Sequence, residues 1–242
     1  IFNTNVNKFF DAKEISKRAS HNSSAVVVCG NQTDLETSKS VHTFASNLNV
    51  PCITENEMTL NSNLLGSSKF STTFTDILSS DLCLLIGTNP RFEASLLNVR
   101  LKKRMVRGLF TVGTLGLTED LTYKSENLGV AADNLIAILE GKHPFCQKLA
   151  KANKPVIILG ESVLKRQDGL HIQQMVNNLA KHMNIITEDW VGANFLPTTA
   201  NSVNNSFIGL NNAQGKKNYL KNVGFFFGIG LDDPQKFLTQ LP

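Results

Sequence analysis

Short runs of apolar residues alternate with helical patterns along most of the chain. Three runs are continuous and strand-sized: 25–29 (AVVVC), Leu82–Ile86 (LCLLI) and 155–159 (PVIIL). Runs without polar alternation are typical of central strands in parallel sheets, because both of their faces are buried. Apolar residues at helical spacing lie between them. The alternation therefore predicts an α/β fold with a mainly parallel open sheet, or sheets, covered by helices on both faces.

The remaining pattern predicts weaker elements. Helices are expected at 11–20, 35–48, 93–107, 132–139, 144–150 and 169–183, and further strands at 109–112 and 223–227. A connector is expected at 76–81 and a loop at 201–212, in an asparagine-rich stretch of weak periodicity. No internal repeat or low-complexity linker divides the sequence. We expect a single domain over 1–242, with two lobes that meet near 141–154 as the alternative.

Composition narrows the class of protein. Hydrophobic residues make up 41% of the chain and charged residues 18%, and the net charge is +4. This is the composition of a globular protein, and the small basic excess does not indicate nucleic acid. No apolar run approaches the roughly 18 residues of a membrane-spanning helix, so direct membrane insertion is not expected. No signal-peptide pattern follows Ile1, and we expect any targeting segment to be absent or already removed.

Residues with catalytic or metal-binding chemistry are scattered. The four cysteines, Cys29, Cys52, Cys83 and Cys146, form no C-x-x-C pair and have no histidine at ligand spacing. They predict buried or free thiols and no metal site. No nucleophile motif or acid–base pair is present, so no catalytic residue is expected.

Two features remain open to a binding role. The turn Gly87–Thr88–Asn89–Pro90 follows a strand and opens a helix, so its backbone amides could hold a phosphate or nucleotide. The alternative is an ordinary strand-to-helix turn. A basic helix face could dock an acidic partner or could simply be solvated. Its residues are Arg100, Lys103, Arg104 and Arg107.

A family resemblance enters at residues 81–104, DLCLLIGTNPRFEASLLNVRLKKR. The D-x-x-x-x-x-G-x-N-P turn in this segment resembles that of the molybdopterin oxidoreductases. The longer run through Arg91, Phe92, Glu93 and Ala94 resembles the large iron–sulfur subunits of respiratory complex I. Further blocks match in the same order, at 120–123 (DLTY), 128–129 (LG) and 143–145 (HPF), before 154–160.

The resemblance implies a molybdopterin-oxidoreductase-like fold. Gly87, Thr88, Asn89 and Pro90 match the turn that touches the pterin nucleotide in cofactor-bearing members, so they are candidates for a vestigial pocket. Those members carry an Asp-Pro-Arg type of loop after the next strand, whereas 110–117 reads FTVGTLGL here. The resemblance therefore implies no cofactor in this chain and an empty or side-chain-filled pocket.

The same resemblance implies a function. We expect a non-catalytic structural part of the peripheral arm of complex I, supporting the iron–sulfur half in NADH:ubiquinone oxidoreduction. Iron–sulfur clusters and FMN are then expected in partner chains, among them a separate cysteine-rich half of a split or processed subunit and other peripheral-arm subunits. The expected location is the matrix side of the mitochondrial inner membrane, or the cytoplasmic side of a bacterial membrane.

A rival interpretation stays open beside this one. The chain could be a nucleotide- or molybdopterin-binding α/β enzyme domain, such as the central domain of a thiamine-diphosphate enzyme. Fold class does not separate the two.

Overall fold

The computed structural model describes residues 24–55, 58–64, 68–117, 120–210, 223–233 and 235. The strands are β1 (Ser24–Cys29), β2 (Cys52–Thr54), β3 (Leu82–Ile86), β4 (Thr111–Leu115), β5 (Glu126–Asn127), β6 (Pro155–Gly160), β7 (Ala193–Leu196) and β8 (Val223–Ile229). The helices are α1 (Leu35–Asn47), α2 (Phe74–Ser79), α3 (Pro90–Glu93), α4 (Ser95–Val106), α5 (Ala132–Leu139), α6 (Phe145–Lys151), α7 (Glu161–Leu164), α8 (Gly169–His182) and α9 (Ser202–Phe207). The helix predicted at 11–20 lies outside the described residues.

The chain divides into two compact units. One comprises the described residues of Ile1–Glu57 and Thr199–Pro242, and the other those of Met58–Thr198. We predicted a single domain over 1–242, or two lobes that meet near 141–154. Residues on both sides of 141–154 belong to the same sheet, since β6 pairs with β3. The expectation of a single domain over 1–242 stays a prediction.

The first unit is built on a parallel sheet with the strand order β2-β1-β8. Its central strand β1 is buried on both faces, as its uninterrupted apolar sequence predicted. Val27 packs with Val41 and Ala45 of α1, whereas Val26 and Val28 pack with Ile53 on the opposite face. Asp34 caps the start of α1, and its side chain accepts a hydrogen bond from the Thr37 N–H.

The second unit is built on a parallel sheet with the strand order β5-β4-β3-β6-β7. The side chains of Cys83 and Leu85 on β3 pack with Ile77 of α2 and with Leu97 and Leu101 of α4. The other face is covered as well, because a Cβ at Gly113 would lie 2.6 Å from the Phe145 ring of α6. The predicted class, parallel sheets covered by helices, is confirmed.

Several local predictions need correction. The expected connector at 76–81 overlaps α2, which is stabilised by a capping box between Thr73 and Asp76 and by burial of Ile77. The helix expected at 93–107 is two helices, because Ala94 has φ −151° and interrupts the turn between α3 and α4. The strand expected at 109–112 is shifted to β4, since Leu109 has φ 51° and is 97% exposed.

The asparagine-rich region also differs from expectation. Part of the loop expected at 201–212 is the helix α9, and the strand β7 precedes it. Asn194 interrupts the apolar pattern of β7, yet its side chain is fully buried. Its Oδ1 accepts hydrogen bonds from the N–H groups of Ser71 and Thr72, each 2.8 Å long. A buried polar residue can occupy a central position when its hydrogen bonds are made within the fold.

Candidate functional site

The turn after β3 lies where the strand order of the larger sheet reverses. From β3 the chain proceeds to β4 on one side, whereas β6 lies on the other side. In open α/β sheets, ligands bind at the carboxyl edge at such a point. The loops after β3 and β6 approach closely, since a Cβ at Gly160 would lie 2.2 Å from the Gly87 carbonyl oxygen. The hydroxyl of Ser162 donates a hydrogen bond to the same oxygen.

A cleft of about 680 Å³ opens at this edge. That volume is in the range of small-molecule sites, which is roughly 300–1,000 Å³. Its lining is mainly aliphatic: Ile86, Gly87, Thr88, Asn89, Glu93, Leu115, Gly116, Leu117, Val130, Ala131, Ala132, Leu135, Ser162, Val163, Arg166 and Ile172. Three of the four predicted pocket residues thus line the cleft. The fourth, Pro90, is buried as the first residue of α3.

The polar groups of the turn are bonded to a side chain of the same turn. The carboxylate of Glu93 accepts hydrogen bonds from the Thr88 hydroxyl at 2.7 Å and from the Asn89 N–H at 3.0 Å. The Asn89 side chain accepts in turn from the Arg91 N–H at 3.1 Å. An anionic ligand at this position would meet a carboxylate that already holds the donors.

The cation that borders the cleft is also paired. The guanidinium of Arg166 donates two hydrogen bonds to Asp168, of 2.7 and 2.8 Å. These hydrogen bonds hold the pKa of the Asp168 carboxyl below its ordinary value. Both side chains are largely exposed, so the pair is screened by water.

Two other glutamates bond in the same way after their strands. Glu161 follows β6 and is fully buried. Its carboxylate accepts from the N–H and the hydroxyl of Thr198, beyond β7, and contacts Lys165 at 3.0 Å. Glu55 follows β2 in the first unit and accepts from the N–H groups of Asp232 and Asp233, beyond β8, at 3.0 and 3.1 Å.

We call Glu55, Glu93 and Glu161 the edge glutamates. Each lies just beyond the carboxyl end of a strand or in the helix that follows it, and each accepts at least one backbone N–H. Sequence patterns did not reveal them as a set, because their partners lie up to 178 positions away along the chain. The local signal was available at Glu93, where Asn89 and Glu93 flank a proline that begins a helix.

The thiols of the described residues are free, and three of them, Cys29, Cys83 and Cys146, are buried. Burial raises the pKa of the Cys52 thiol to about 12 and raises that of Cys83 as well. Within the described ranges, no three or more histidine, cysteine, aspartate or glutamate residues are placed to share a metal ion. Over the same ranges, no helix has the length and apolar character needed to cross a membrane.

Comparison with known families bears on this geometry. The family model of molybdopterin oxidoreductases matches residues 8–237. The chain belongs to the molybdopterin oxidoreductase family. The match includes both sheets and the turn after β3, so the resemblance seen at residues 81–104 is confirmed.

Individual relatives are more specific. The chain is 40% identical over 183 residues to the NADH-ubiquinone oxidoreductase 75 kDa subunit of Reclinomonas americana, covering 74% of this chain and 26% of that protein. It is 34% identical over 187 residues to NADH dehydrogenase [ubiquinone] iron-sulfur protein 1, mitochondrial, of Solanum tuberosum, covering 77% and 25%. It is 34% identical over 168 residues to an NADH-quinone oxidoreductase subunit of Rickettsia bellii, covering 69% and 24%. The chain spans about a quarter of the length of these relatives.

The family name implies a molybdopterin cofactor, and the cleft tests whether one fits. A pterin nucleotide carries anionic phosphates and polar ring edges, which require free hydrogen-bond donors and cations. In the described lining, Thr88 bonds to Glu93, Ser162 bonds to Gly87 and Arg166 bonds to Asp168. The remaining surface is mostly aliphatic. The residues present do not fit an anionic pterin nucleotide.

Proposed function

We propose that this chain is a non-catalytic structural part of the peripheral arm of a respiratory NADH:quinone oxidoreductase, complex I. The observation that carries the proposal is the set of edge glutamates. At the cleft beyond β3, the Glu93 carboxylate holds the Asn89 N–H and the Thr88 hydroxyl. Glu161 and Glu55 hold backbone N–H groups of loops beyond other strands. A site in this state stabilises the fold and offers little to an anionic cofactor. The identity of the complex is inferred from the similarity to NADH-quinone oxidoreductase subunits.

In this proposal, the electron path lies elsewhere in the complex. An iron–sulfur cluster needs about four thiolates, or histidines in their place, in a local arrangement. Cys29, Cys83 and Cys146 are buried, and each lies in a different element, β1, β3 and α6. We propose that a cysteine-rich iron–sulfur part, expected as a separate chain, and FMN-bearing and other peripheral-arm subunits are the partners. The proposed location is the matrix side of the mitochondrial inner membrane, or the equivalent side of a bacterial membrane.

The second candidate is a nucleotide- or molybdopterin-binding enzyme domain. The observation in its favour is the size and position of the cleft at the carboxyl edge of β3. This candidate requires the bonds from Glu93 to Thr88 and Asn89 to open when a ligand binds. It therefore predicts a stoichiometric organic ligand in the purified protein.

The test is to reduce the amount of this chain in its native source and to compare assembly with turnover. We expect less assembled complex on native gels, with unchanged NADH:quinone activity for each complex that does assemble. Normal assembly with reduced turnover per complex would contradict the structural role. A matched decrease of an unrelated peripheral protein serves as the control.

A further inference from the structure

The outer face of α4 carries apolar residues that the described part of the chain leaves uncovered. Leu96, Val99 and Val106 are 72%, 58% and 81% exposed. Together with Lys103 they recur every three or four residues, so they form one stripe along the helix. The opposite face, with Leu97 and Leu101, is already buried against β3. A helix with apolar residues on both faces needs a second surface to cover it.

A groove continues this stripe at the start of α4. It has a volume of about 410 Å³ and is lined by Phe70, Phe74, Phe92, Glu93, Ala94, Ser95, Leu96, Leu97 and Leu196. Phe92 is 68% exposed at its edge. A concave aromatic pocket beside an apolar stripe accepts a large side chain from a partner, which is how interface anchors bind.

The charged residues around the stripe are all basic. From Ala94 to Leu117 the sequence contains five basic residues and no acidic residue. Arg104 bonds to the carbonyl oxygens of Ser80, Gly108 and Leu109. In contrast, Lys102, Lys103 and Arg107 take part in none of the ion pairs formed among the described residues. A partner that covers the stripe would bring its own groups close to these cations.

We propose that the α4 stripe and its groove dock a helical segment of another protein, with apolar residues at three- to four-residue spacing flanked by carboxylates. The apolar residues would cover Leu96, Val99 and Val106, and the carboxylates would pair with Lys102, Lys103 and Arg107. The 12 residues of α4 provide about 18 Å of contact, enough for two to three turns of a partner helix. This docking surface does not depend on the function proposed above.

An anionic membrane surface shares part of this chemistry. The observations favour a protein, because the apolar stripe continues into a concave groove, whereas a membrane surface meets the convex side of a helix. A second copy of the chain is disfavoured by charge, since two α4 surfaces would bring like charges together. Contact with a membrane and contact with a second copy are therefore two outcomes that the test distinguishes.

The experiment places a photo-crosslinking amino acid at Val106 in the full chain, expressed in its native source. The cross-linked peptide is then sequenced by mass spectrometry. We expect one protein segment of helical apolar spacing with acidic residues beside it. The same group at Phe207, an exposed apolar residue of α9, is the matched control and should not capture that segment. Cross-links to lipid, to a second copy or to a segment without carboxylates, or no cross-link, would overturn the proposal.

Charge reversal sharpens this result. The variant Lys102→Glu with Lys103→Glu and Arg107→Glu should reduce the cross-link yield at Val106 by about tenfold, because like charges across an interface are strongly unfavourable. These side chains lie on the helix surface, so circular dichroism should match that of the unmodified chain. Lys39→Glu on the exposed face of α1 is the control and should leave the yield unchanged. An undiminished yield in the triple variant would refute the charge pairing.

Discussion

Both units have a buried glutamate beyond a strand of their sheet, and the second unit also has an exposed one. In the first, Glu55 is 7% exposed and bonds to two backbone N–H groups beyond β8. In the second, Glu161 is fully buried beyond β6, whereas Glu93 beyond β3 lies at the surface of the cleft. A glutamate carboxylate that accepts from backbone N–H groups therefore occurs in two settings. Where it is buried it holds loops together, and where it is exposed it lies at the cleft.

Under the proposed function, this contrast describes how a ligand-binding fold is retained without its ligand. A buried carboxylate that bonds to backbone donors fixes the connections between strands, and losing it is costly. An exposed carboxylate contributes less to stability, but Glu93 holds donors that could otherwise bind a phosphate. The edge glutamates can thus be ranked by their expected contribution to the free energy of unfolding, and this ranking can be tested.

The largest effect is expected at Glu161. Glu161→Ala removes a buried carboxylate with two hydrogen bonds and an ion pair, so we expect the free energy of unfolding to decrease by about 3 kcal/mol. Urea denaturation measures the change. Glu161→Gln is the control, and it should lose less because the amide oxygen still accepts from Thr198. Equal losses for the two variants would show that the hydrogen bonds contribute little.

A smaller effect is expected at Glu55. Glu55→Ala should lower the free energy of unfolding by about 2 kcal/mol, because the N–H groups of Asp232 and Asp233 lose their acceptor but can reach water. Hydrogen exchange at those two amides should accelerate in parallel. Unchanged exchange rates would mean that Glu55 does not hold this loop.

Glu93 should affect the free energy of unfolding less than Glu161 and Glu55 do, and it should affect anion binding more. Glu93→Ala should cost about 1 kcal/mol, a usual value for hydrogen bonds lost at an exposed helix start. The variant also frees the Asn89 N–H and the Thr88 hydroxyl for an anion. Added sulfate should then raise the melting temperature of the variant more than that of the unmodified chain. Equal responses to sulfate would show that Glu93 does not keep an anion from these donors. A matched chloride titration controls for ionic strength.

The smallest effect concerns pH at the rim of the cleft. The pKa of Asp168 is lowered in the folded chain by its hydrogen bonds with Arg166, so the pair stabilises the fold above the ordinary aspartate pKa. That contribution disappears as the pH falls through the lowered folded value. Asp168→Asn should therefore be slightly less stable than the unmodified chain at neutral pH. The difference should begin to shrink below about pH 4 and vanish below the lowered folded pKa. A difference that persists in acid would contradict this assignment.

Sequence patterns correctly predicted the strands that are buried on both faces. The strands β1, β3 and β6 are continuous apolar runs, and their burial on both faces leaves no polar alternation to obscure them. The turn Gly87–Pro90 was identified by its residues and by its place after β3. These features depend on neighbours in the sequence, which a pattern can record.

The other features depended on distant partners. The strand β7 was hidden because Asn194 breaks its pattern, and the bonds that satisfy this side chain come from Ser71 and Thr72, 123 and 122 positions away. Glu161 has the character of a surface residue in the sequence, and only the fold brings it to Thr198. Helices with few apolar residues, such as α9, likewise form through tertiary packing rather than through intrinsic propensity.

We infer above all that this family member supports a respiratory complex without binding a molybdopterin cofactor. The decisive quantity is the pterin and molybdenum content of the complex purified from its native membrane in mild detergent, quantified per copy of this chain. We expect co-purification with NADH-oxidising and iron–sulfur subunits, and no stoichiometric pterin. One pterin nucleotide per chain, retained by the unmodified protein and lost on mutating Thr88 and Asn89, would contradict the inference.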